Sequence, residues 1–317
     1  MEDSDTGCAP PGRQICAVGS ILKASPQNTG AMLNVARLTA ATDPKGAMET
    51  ARAAYKLAPD DPAVAAALGR LAYQTGEFTW AASLLDQAAK KAPADAALAF
   101  DFALAQYSVG AVAEAADAAR AAFAGDSHFV RAAEATLFLN LLALAENPAP
   151  GDVEKVQGVL RAHPDSVPAL MAQAAYAERA GDRKTAIACC QKALQRFPDF
   201  KPALRSLALL SAKEERESKA TLELLTRART AFPNDADLAK ALGIAAFRSN
   251  DFRRAAPLLR EVTAARPDDA ESLFLLGFSS VQLKDRPTAQ QALSRALELD
   301  PQNAQAAEAR RALNDPH

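Results

Sequence analysis

Prolines recur along almost the whole chain at intervals of about 34 residues. The prolines that close successive segments are Pro59, Pro93, Pro164, Pro198, Pro233, Pro267 and Pro301, and Ser127 stands where one is missing. A period of this length is typical of a repeat made of two helices and a turn. Because each such repeat buries its apolar face against its neighbours, the pattern predicts a stack of helical pairs.

Small residues recur at fixed distances before each proline or Ser127. Alanine lies twelve residues before it at Ala47, Ala81, Ala115, Ala186, Ala255 and Ala289. Alanine also lies five residues before it at Ala54, Ala88, Ala122, Ala193, Ala228 and Ala296. Leu-Gly pairs come earlier in the period, at Leu68-Gly69, Leu242-Gly243 and Leu276-Gly277. These positions predict the points at which two helices approach each other closely.

A glycine or asparagine is expected where the first helix of a repeat ends. Gly76, Gly110 and Gly181 occupy this place, and Asn250 occupies it once. Both residue types tolerate positive φ, so the pattern predicts left-handed backbone at all four positions. No stretch shows the alternation of apolar and polar residues that a half-buried strand requires, and the sequence therefore predicts an all-α fold.

These residues together resemble the tetratricopeptide-repeat family, and the segment from Leu242-Gly243 to Pro267 matches the family pattern closely. The resemblance implies a right-handed superhelical solenoid of about eight helical hairpins over residues 28–303. It leaves residues 1–27 as an N-terminal arm or linker remnant, and residues 304–317 as a C-terminal capping helix and tail. The fourth repeat departs most from the pattern, because the cluster Asn147-Pro148-Ala149-Pro150-Gly151 lengthens its turn.

Charge and motifs argue against several function classes. The formal net charge is −2 at pH 7, which gives no general attraction to nucleic acid. No apolar run has the length of about eighteen residues that a membrane-spanning helix needs. No phosphate-binding glycine loop, catalytic serine elbow or zinc-ligand spacing occurs, and His128, His163 and His317 have no ligand partners at suitable spacing. We therefore predict a protein that is not an enzyme and needs no cofactor or metal.

Four cysteines fall into two pairs. Cys8 and Cys16 lie in the segment before the first repeat, where a disulfide and two free thiols are both open alternatives. Cys189 and Cys190 lie in the second helix of the fifth repeat, and we expect them to be buried small hydrophobic residues.

Acidic residues follow several of the repeat prolines. Asp60-Asp61, Asp235 and Asp268-Asp269 stand where the next helix begins. An acidic side chain at a helix N-terminus accepts hydrogen bonds from backbone N–H groups and complements the helix dipole. We expect these residues to cap helices and to have no catalytic role.

In the family that the chain resembles, the first helices of the repeats usually line a concave groove that holds a peptide. The resemblance places in that groove Phe100, Tyr107, Met171, Arg179, Arg205, Lys213, Lys240, Phe247, Arg248, Phe274 and Phe278, with Leu104, Phe138, Leu209 and Ile244 beside them. The groove is expected to be apolar in the middle and basic toward its C-terminal side. The alternative is that about half of this set packs in the core.

The resemblance implies a non-catalytic scaffold that binds a partner peptide or helix with apolar and acidic residues. The alanine- and arginine-rich style resembles bacterial members of the family, including cell-envelope proteins of export and assembly systems. One alternative is an accessory module of a larger enzyme, and another is a protein that binds anionic polysaccharide. The location would be periplasmic or cell-envelope if a signal peptide has been removed, and cytoplasmic otherwise. The partner's identity and the oligomeric state are open.

Overall fold

The computed structural model describes residues 21–126, 128–213, 219–302 and 306–314. Helices and turns make up these ranges, which contain no strand, so the predicted all-α class is confirmed. The predicted features at Cys8, Cys16, Ser127 and His317 lie outside the described residues. The chain divides into two compact units.

The first unit comprises Met1–Val156 and Phe197–Phe200. Its helices are α1 (Thr29–Thr39), α2 (Pro44–Leu57), α3 (Pro62–Gln74), α4 (Phe78–Lys91), α5 (Ala96–Ser108), α6 (Val112–Gly125) and α7 (Ala132–Glu146), followed by a 3-10 turn at Pro150–Asp152. The helices pair as α1–α2, α3–α4 and α5–α6. The first helices of these pairs also contact one another, α1 with α3 and α3 with α5, and so form one continuous face.

The boundary between the units lies within α8 (Val153–Ala162), in the fourth repeat, whose sequence departs most from the pattern. The second unit comprises Gln157–Arg196 and Lys201–His317. Its further helices are α9 (Val167–Arg179), α10 (Arg183–Arg196), α11 (Lys201–Ala212), α12 (Lys219–Ala231), α13 (Ala236–Arg248), α14 (Phe252–Ala265), α15 (Ala270–Gln282), α16 (Arg286–Leu299) and α17 (Ala306–Asn314). Helices α9 to α16 pair in chain order, as in the first unit.

The repeating small residues lie where paired helices approach each other. Every alanine of the two predicted series is fully buried except Ala289, which is 5% exposed. At Gly277 a Cβ would lie 2.5 Å from Cγ of Leu293, and at Gly69 a Cβ would lie 2.8 Å from Cγ of Leu85. The pairs α15–α16 and α3–α4 therefore pack at a distance that leaves no room for a methyl group.

The predicted left-handed positions are confirmed. Gly76, Gly110 and Gly181 have φ values of 88°, 85° and 77°, and Asn250 has φ 59°. Lys284 also has φ 59°, and it stands seventeen residues before Pro301, the same distance that separates the other four from their proline or Ser127. The repeat spacing could have identified this position, but the residue type could not, because lysine has no preference for positive φ.

The predicted capping acids are also confirmed. The side chains of Asp61, Asp235 and Asp269 accept hydrogen bonds from backbone N–H groups at the starts of α3, α13 and α15. The acid before the cap has a different role in two cases. Asp60 pairs with Lys91 at 2.7 Å and Asp268 pairs with Arg295 at 3.0 Å, so each joins a turn to the second helix of the next repeat.

Candidate functional site

The aromatic residues predicted for the middle of a groove lie in the core of the first unit. Phe100, Tyr107 and Phe138 are 0%, 3% and 4% exposed. Phe138 packs edge-on against both of the others, with ring centroids 6.0 Å from Phe100 and 5.3 Å from Tyr107. Burial raises the pKa of the Tyr107 hydroxyl above its usual range. These side chains therefore stabilise the unit and do not form an open surface.

Two phenylalanines from the turn before α11 complete this aromatic cluster. Phe200 is fully buried and its ring lies 4.9 Å from that of Tyr107. Phe197 packs edge-on against Phe78 at 4.7 Å. The sequence did not predict these contacts, because they join α4 and α5 to a segment about a hundred residues further along the chain. They cover the apolar side of α5 that the repeat pattern had placed in a groove.

The second unit buries its predicted apolar groove residues in the same way. Phe274 is fully buried, and Phe278 and Met171 are 8% and 9% exposed. Phe247 is half-buried and its ring lies 5.6 Å from that of Phe252. Three of these four predicted contact residues are therefore buried, and Phe247 is partly exposed.

Two predicted cations of the second unit are used in ion pairs between repeats. Arg205 of α11 contacts Asp235 at 2.5 Å and Asp237 at 2.9 Å, at the start of α13. Lys240 of α13 contacts Asp269 at 2.8 Å and Glu271 at 2.9 Å, at the start of α15. Each cation therefore links the first helix of one repeat to the N-terminus of the first helix of the next repeat. The sequence had instead predicted that both cations contact a partner.

These pairs keep the capping carboxylates charged. Burial raises the pKa of Asp235, but hydrogen bonds from Arg205 and from the N–H of Leu238 lower it further, and the result lies below the usual value. Burial likewise raises the pKa of Asp269, and hydrogen bonds from Lys240 and from the N–H of Ser272 lower it below the usual value. The cap and the repeat-to-repeat ion pair thus share one carboxylate in each case.

Three predicted cations remain exposed. Arg179 and Arg248 lie at the C-terminal ends of α9 and α13, and Lys213 follows α11. The ammonium of Lys213 lies 3.7 Å from the carboxylate of Glu178. The backbone carbonyl of Lys213 accepts a hydrogen bond from the guanidinium of Arg183 at 3.1 Å. A weak surface pair of this length holds a lysine loosely.

An open groove lies between the first helices α1 and α3 of the first unit, with a volume of about 710 Å³. Its lining residues are Leu33, Asn34, Arg37, Ala40, Ala41, Ala67, Arg70, Leu71 and Gln74. We call this feature the α1–α3 groove. The sequence did not predict it. Three of its lining residues are alanines, Ala67 on α3 and Ala40 and Ala41 in the turn after α1.

The α1–α3 groove has an apolar floor and a basic rim. Leu71 is buried and Leu33 is half-buried, whereas Arg37 and Arg70 are exposed. The guanidinium of Arg70 pairs with Asp101, and Arg37 makes no ion pair with any residue that the structure describes. No carboxylate occurs among the lining residues. A surface of this kind fits a ligand that has both an apolar group and a negative charge.

Within the described residues, the thiols and the potential metal ligands form no further site. Cys189 and Cys190 are buried free thiols, and burial raises both pKa values, that of Cys190 to about 12. Over the described ranges, no cluster of three His, Cys, Asp or Glu residues is placed to hold a metal ion. In those same ranges, every helix is too short or too polar to cross a membrane.

Comparisons with known proteins agree with the repeat architecture. The tetratricopeptide-repeat family matches residues 38–99 and 240–304, one segment in each unit. A comparison with curated proteins finds no match.

Several solved structures are similar over much of the chain. YrrB, described as a TPR protein with an unusual peptide-binding site, is 18% identical, with 72% of this chain and 97% of that chain covered and a TM-score of 0.40. PilF of Pseudomonas aeruginosa is 15% identical, with 79% and 96% covered and a TM-score of 0.41. The P58(IPK) TPR domain is 14% identical, with 90% and 98% covered and a TM-score of 0.39.

Proposed function

Because the chain is a tetratricopeptide-repeat protein, we propose that it is a non-catalytic scaffold that holds a peptide of a partner protein in the α1–α3 groove. Repeats of this family form interaction modules, and the first helices make a continuous face in the first unit. The observation that supports this site most is the open groove itself, with its apolar floor and its basic rim.

The groove has room for a few side chains of an extended or helical segment. An apolar side chain of the ligand would displace water from Leu33 and Leu71. The exposed amides of Asn34 and Gln74 lie on the rim, where they can hydrogen-bond to the ligand backbone. Burial of an apolar anchor inside a polar rim is the usual arrangement of a protein–peptide contact.

The exposed cations of the second unit are not part of the proposed site. Arg179, Lys213 and Arg248 lie on or beside first helices, and Phe247 is half-buried next to Arg248. None of these residues lines the α1–α3 groove, which lies in the first unit. The polysaccharide alternative loses support, because Arg205 and Lys240, the central cations of the predicted basic region, are already paired with carboxylates.

The test begins with peptides selected from a random displayed library against the full chain. Their Kd values are then measured by fluorescence anisotropy with the wild type, with Ala67→Trp, which fills the groove, and with Ala241→Trp. Ala241 is a matched control, because it is also half-buried and is the sixth residue of α13, as Ala67 is of α3. Circular dichroism checks that both variants keep their helix content.

We expect Ala67→Trp to weaken binding by about tenfold or more, which corresponds to about 1.4 kcal/mol, and Ala241→Trp to leave it unchanged. Loss of binding in Ala241→Trp alone would move the site to the second unit. Full binding by both variants would overturn the α1–α3 groove as the site.

A further inference from the structure

We propose that one edge of the second unit binds the surface of a lipid bilayer that contains anionic lipids. The edge consists of the turns that join the first and second helices of the seventh and eighth repeats, residues 247–254 and 281–286, and we call it the basic edge. Because α13 contacts α15, the two turns lie side by side. The α1–α3 groove belongs to the first unit, so this proposal does not depend on the partner peptide.

The basic edge has an excess of positive charge. Its cations are Arg248, Arg253, Arg254, Lys284 and Arg286, and its acids are Asp251 and Asp285. Both acids cap helices. The carboxylate of Asp251 accepts a hydrogen bond from the N–H of Arg254 at 3.2 Å, and that of Asp285 accepts one from the N–H of Thr288 at 3.3 Å. The edge is therefore positive, although the formal net charge of the whole chain is −2.

Three of these cations lie where they do not stabilise their own helices. Arg253 and Arg254 lie in the first turn of α14 and Arg286 lies in the first turn of α16, and neither first turn contains an acid. The helix dipole favours acidic side chains at such positions and disfavours basic ones. Arg253 and Lys284 are also exposed and form no ion pair with any residue that the structure describes. Their charge is thus available to an anion outside the chain.

Two apolar side chains are exposed in the same edge. Val281 is 37% exposed and Leu283 is 38% exposed. At the equivalent place in the seventh repeat, the ring of Phe247 packs against that of Phe252. In the eighth repeat an arginine, Arg286, stands where Phe252 stands in the seventh, and the side chain of Val281 stays exposed. The eighth repeat therefore presents apolar and basic side chains together.

The backbone of Lys284 supports a role for this turn. Its φ is 59°, and the equivalent positions of the other repeats with positive φ hold glycine or asparagine. Lysine has no intrinsic preference for this conformation. Such positions often belong to functional surfaces. The exposed ammonium of Lys284 follows the exposed side chain of Leu283 directly in the sequence.

An anionic bilayer is the partner that fits this combination. Lys and Arg side chains are attracted to anionic headgroups, and apolar side chains enter the boundary between headgroups and acyl chains. A bound peptide needs a groove or a free strand edge, whereas Val281 and Leu283 lie at an exposed turn. A lipid surface can meet the turns of both repeats at once. The contact is with the bilayer surface and does not require a helix that crosses it.

The experiment measures co-sedimentation of the full chain with two kinds of vesicle, phosphatidylcholine alone and phosphatidylcholine with about 30% phosphatidylglycerol. The charge variant is the double substitution Arg253→Gln and Lys284→Gln. Its matched control is Lys90→Gln and Arg120→Gln, which removes one exposed lysine and one exposed arginine from the first unit. Circular dichroism checks the helix content of each variant.

The wild type is expected to bind the anionic vesicles and not the neutral ones, and binding falls at about 0.5 M salt. The charge variant should bind about thirtyfold more weakly, because each cation near an anionic surface strengthens binding about fivefold. The control variant should bind as the wild type does. An apolar variant, Val281→Ser with Leu283→Ser, should bind about tenfold more weakly, because its side chains no longer enter the boundary region.

Equal binding by the wild type and the charge variant would overturn the proposal, and so would an equal loss in the control variant. If inorganic phosphate displaces the vesicles and the apolar variant binds as the wild type does, a free phosphate group is the ligand and the bilayer is not. If the wild type binds fluorescent polyglutamate but neither kind of vesicle, the basic edge takes an acidic protein and the proposal is wrong. Ala67→Trp should bind vesicles normally, so the basic edge and the α1–α3 groove are tested separately.

Discussion

Replacement of Gly277 by alanine tests whether the repeat pattern sets the distance between paired helices. A Cβ at this position would lie 2.5 Å from both Cγ and Cδ2 of Leu293, and 3.3 Å from its backbone nitrogen. Normal contact between carbon atoms is about 3.5–4.0 Å, so an overlap of about 1 Å has to be relieved. Because backbone also lies close, rotation of the Leu293 side chain cannot relieve all of it.

Gly243 provides a matched comparison. A Cβ there would lie 3.1 Å from Cγ of Leu259, which a small shift of that side chain can accommodate. Alanine is favoured over glycine in a helix by about 1 kcal/mol, whereas overpacking of a core costs about 1–3 kcal/mol. Because the overlap at Gly277 is about 1 Å, the overpacking cost there lies at the upper end of this range. We therefore expect Gly277→Ala to lower the free energy of local unfolding by about 2 kcal/mol, the cost of about 3 kcal/mol less the gain of about 1 kcal/mol, and Gly243→Ala to change it by less than about 1 kcal/mol.

Native-state hydrogen exchange is the suitable assay, since it measures opening of α15 and α16 without a two-state assumption that a repeat protein does not satisfy. The amides of α15 and α16 should lose protection in Gly277→Ala, and those of α13 and α14 should be nearly unchanged in Gly243→Ala. Stabilisation by both substitutions would refute the reasoning, because helix propensity alone would then decide the outcome.

Three further predictions follow from single features of the fold. Lys284→Gly should raise the unfolding midpoint in urea, because relief of left-handed backbone in a lysine is worth about 1 kcal/mol, and an unchanged midpoint would contradict the positive φ. In a variant that lacks the other two cysteines, Cys189 and Cys190 should not react with a thiol reagent at pH 8 until urea unfolds the chain, since burial raises both pKa values. Stability should fall as the pH drops below about 4, because the folded-state pKa values of Asp235 and Asp269 lie below those of the unfolded chain, and an Asp269→Asn variant should lose less over that range.

The repeat architecture was predictable because every helix pair has the same close contacts, and each contact recurs at the same position of the repeat with the same type of residue. Ala81 and Ala88 are fully buried and Gly76 has positive φ, as their spacing from Pro93 predicts. A methyl group or a hydrogen is all that fits at such positions, so residue type and structure are tightly linked there. Lys284 shows the limit of this link, since the repeat imposes its backbone but the residue does not reveal it.

The binding residues were harder to predict than the repeat architecture, because a side chain on a first helix can serve either of two physical roles. A cation on a first helix can meet a partner or the cap of the next repeat, and only the fold shows that Arg205 reaches Asp235 thirty residues away. The α1–α3 groove was missed for the opposite reason. Ala40, Ala41 and Ala67 line it, and alanine is too frequent in this chain for three of them to stand out.

The α1–α3 groove is tested most directly by hydrogen exchange of the full chain with and without a selected peptide at saturating concentration. If the peptide binds in this groove, exchange slows in α1 and α3, and the first helices α11, α13 and α15 of the second unit are unchanged. Slower exchange confined to α11, α13 and α15 would contradict it, and would return the binding site to the exposed residues around Lys213 and Arg248.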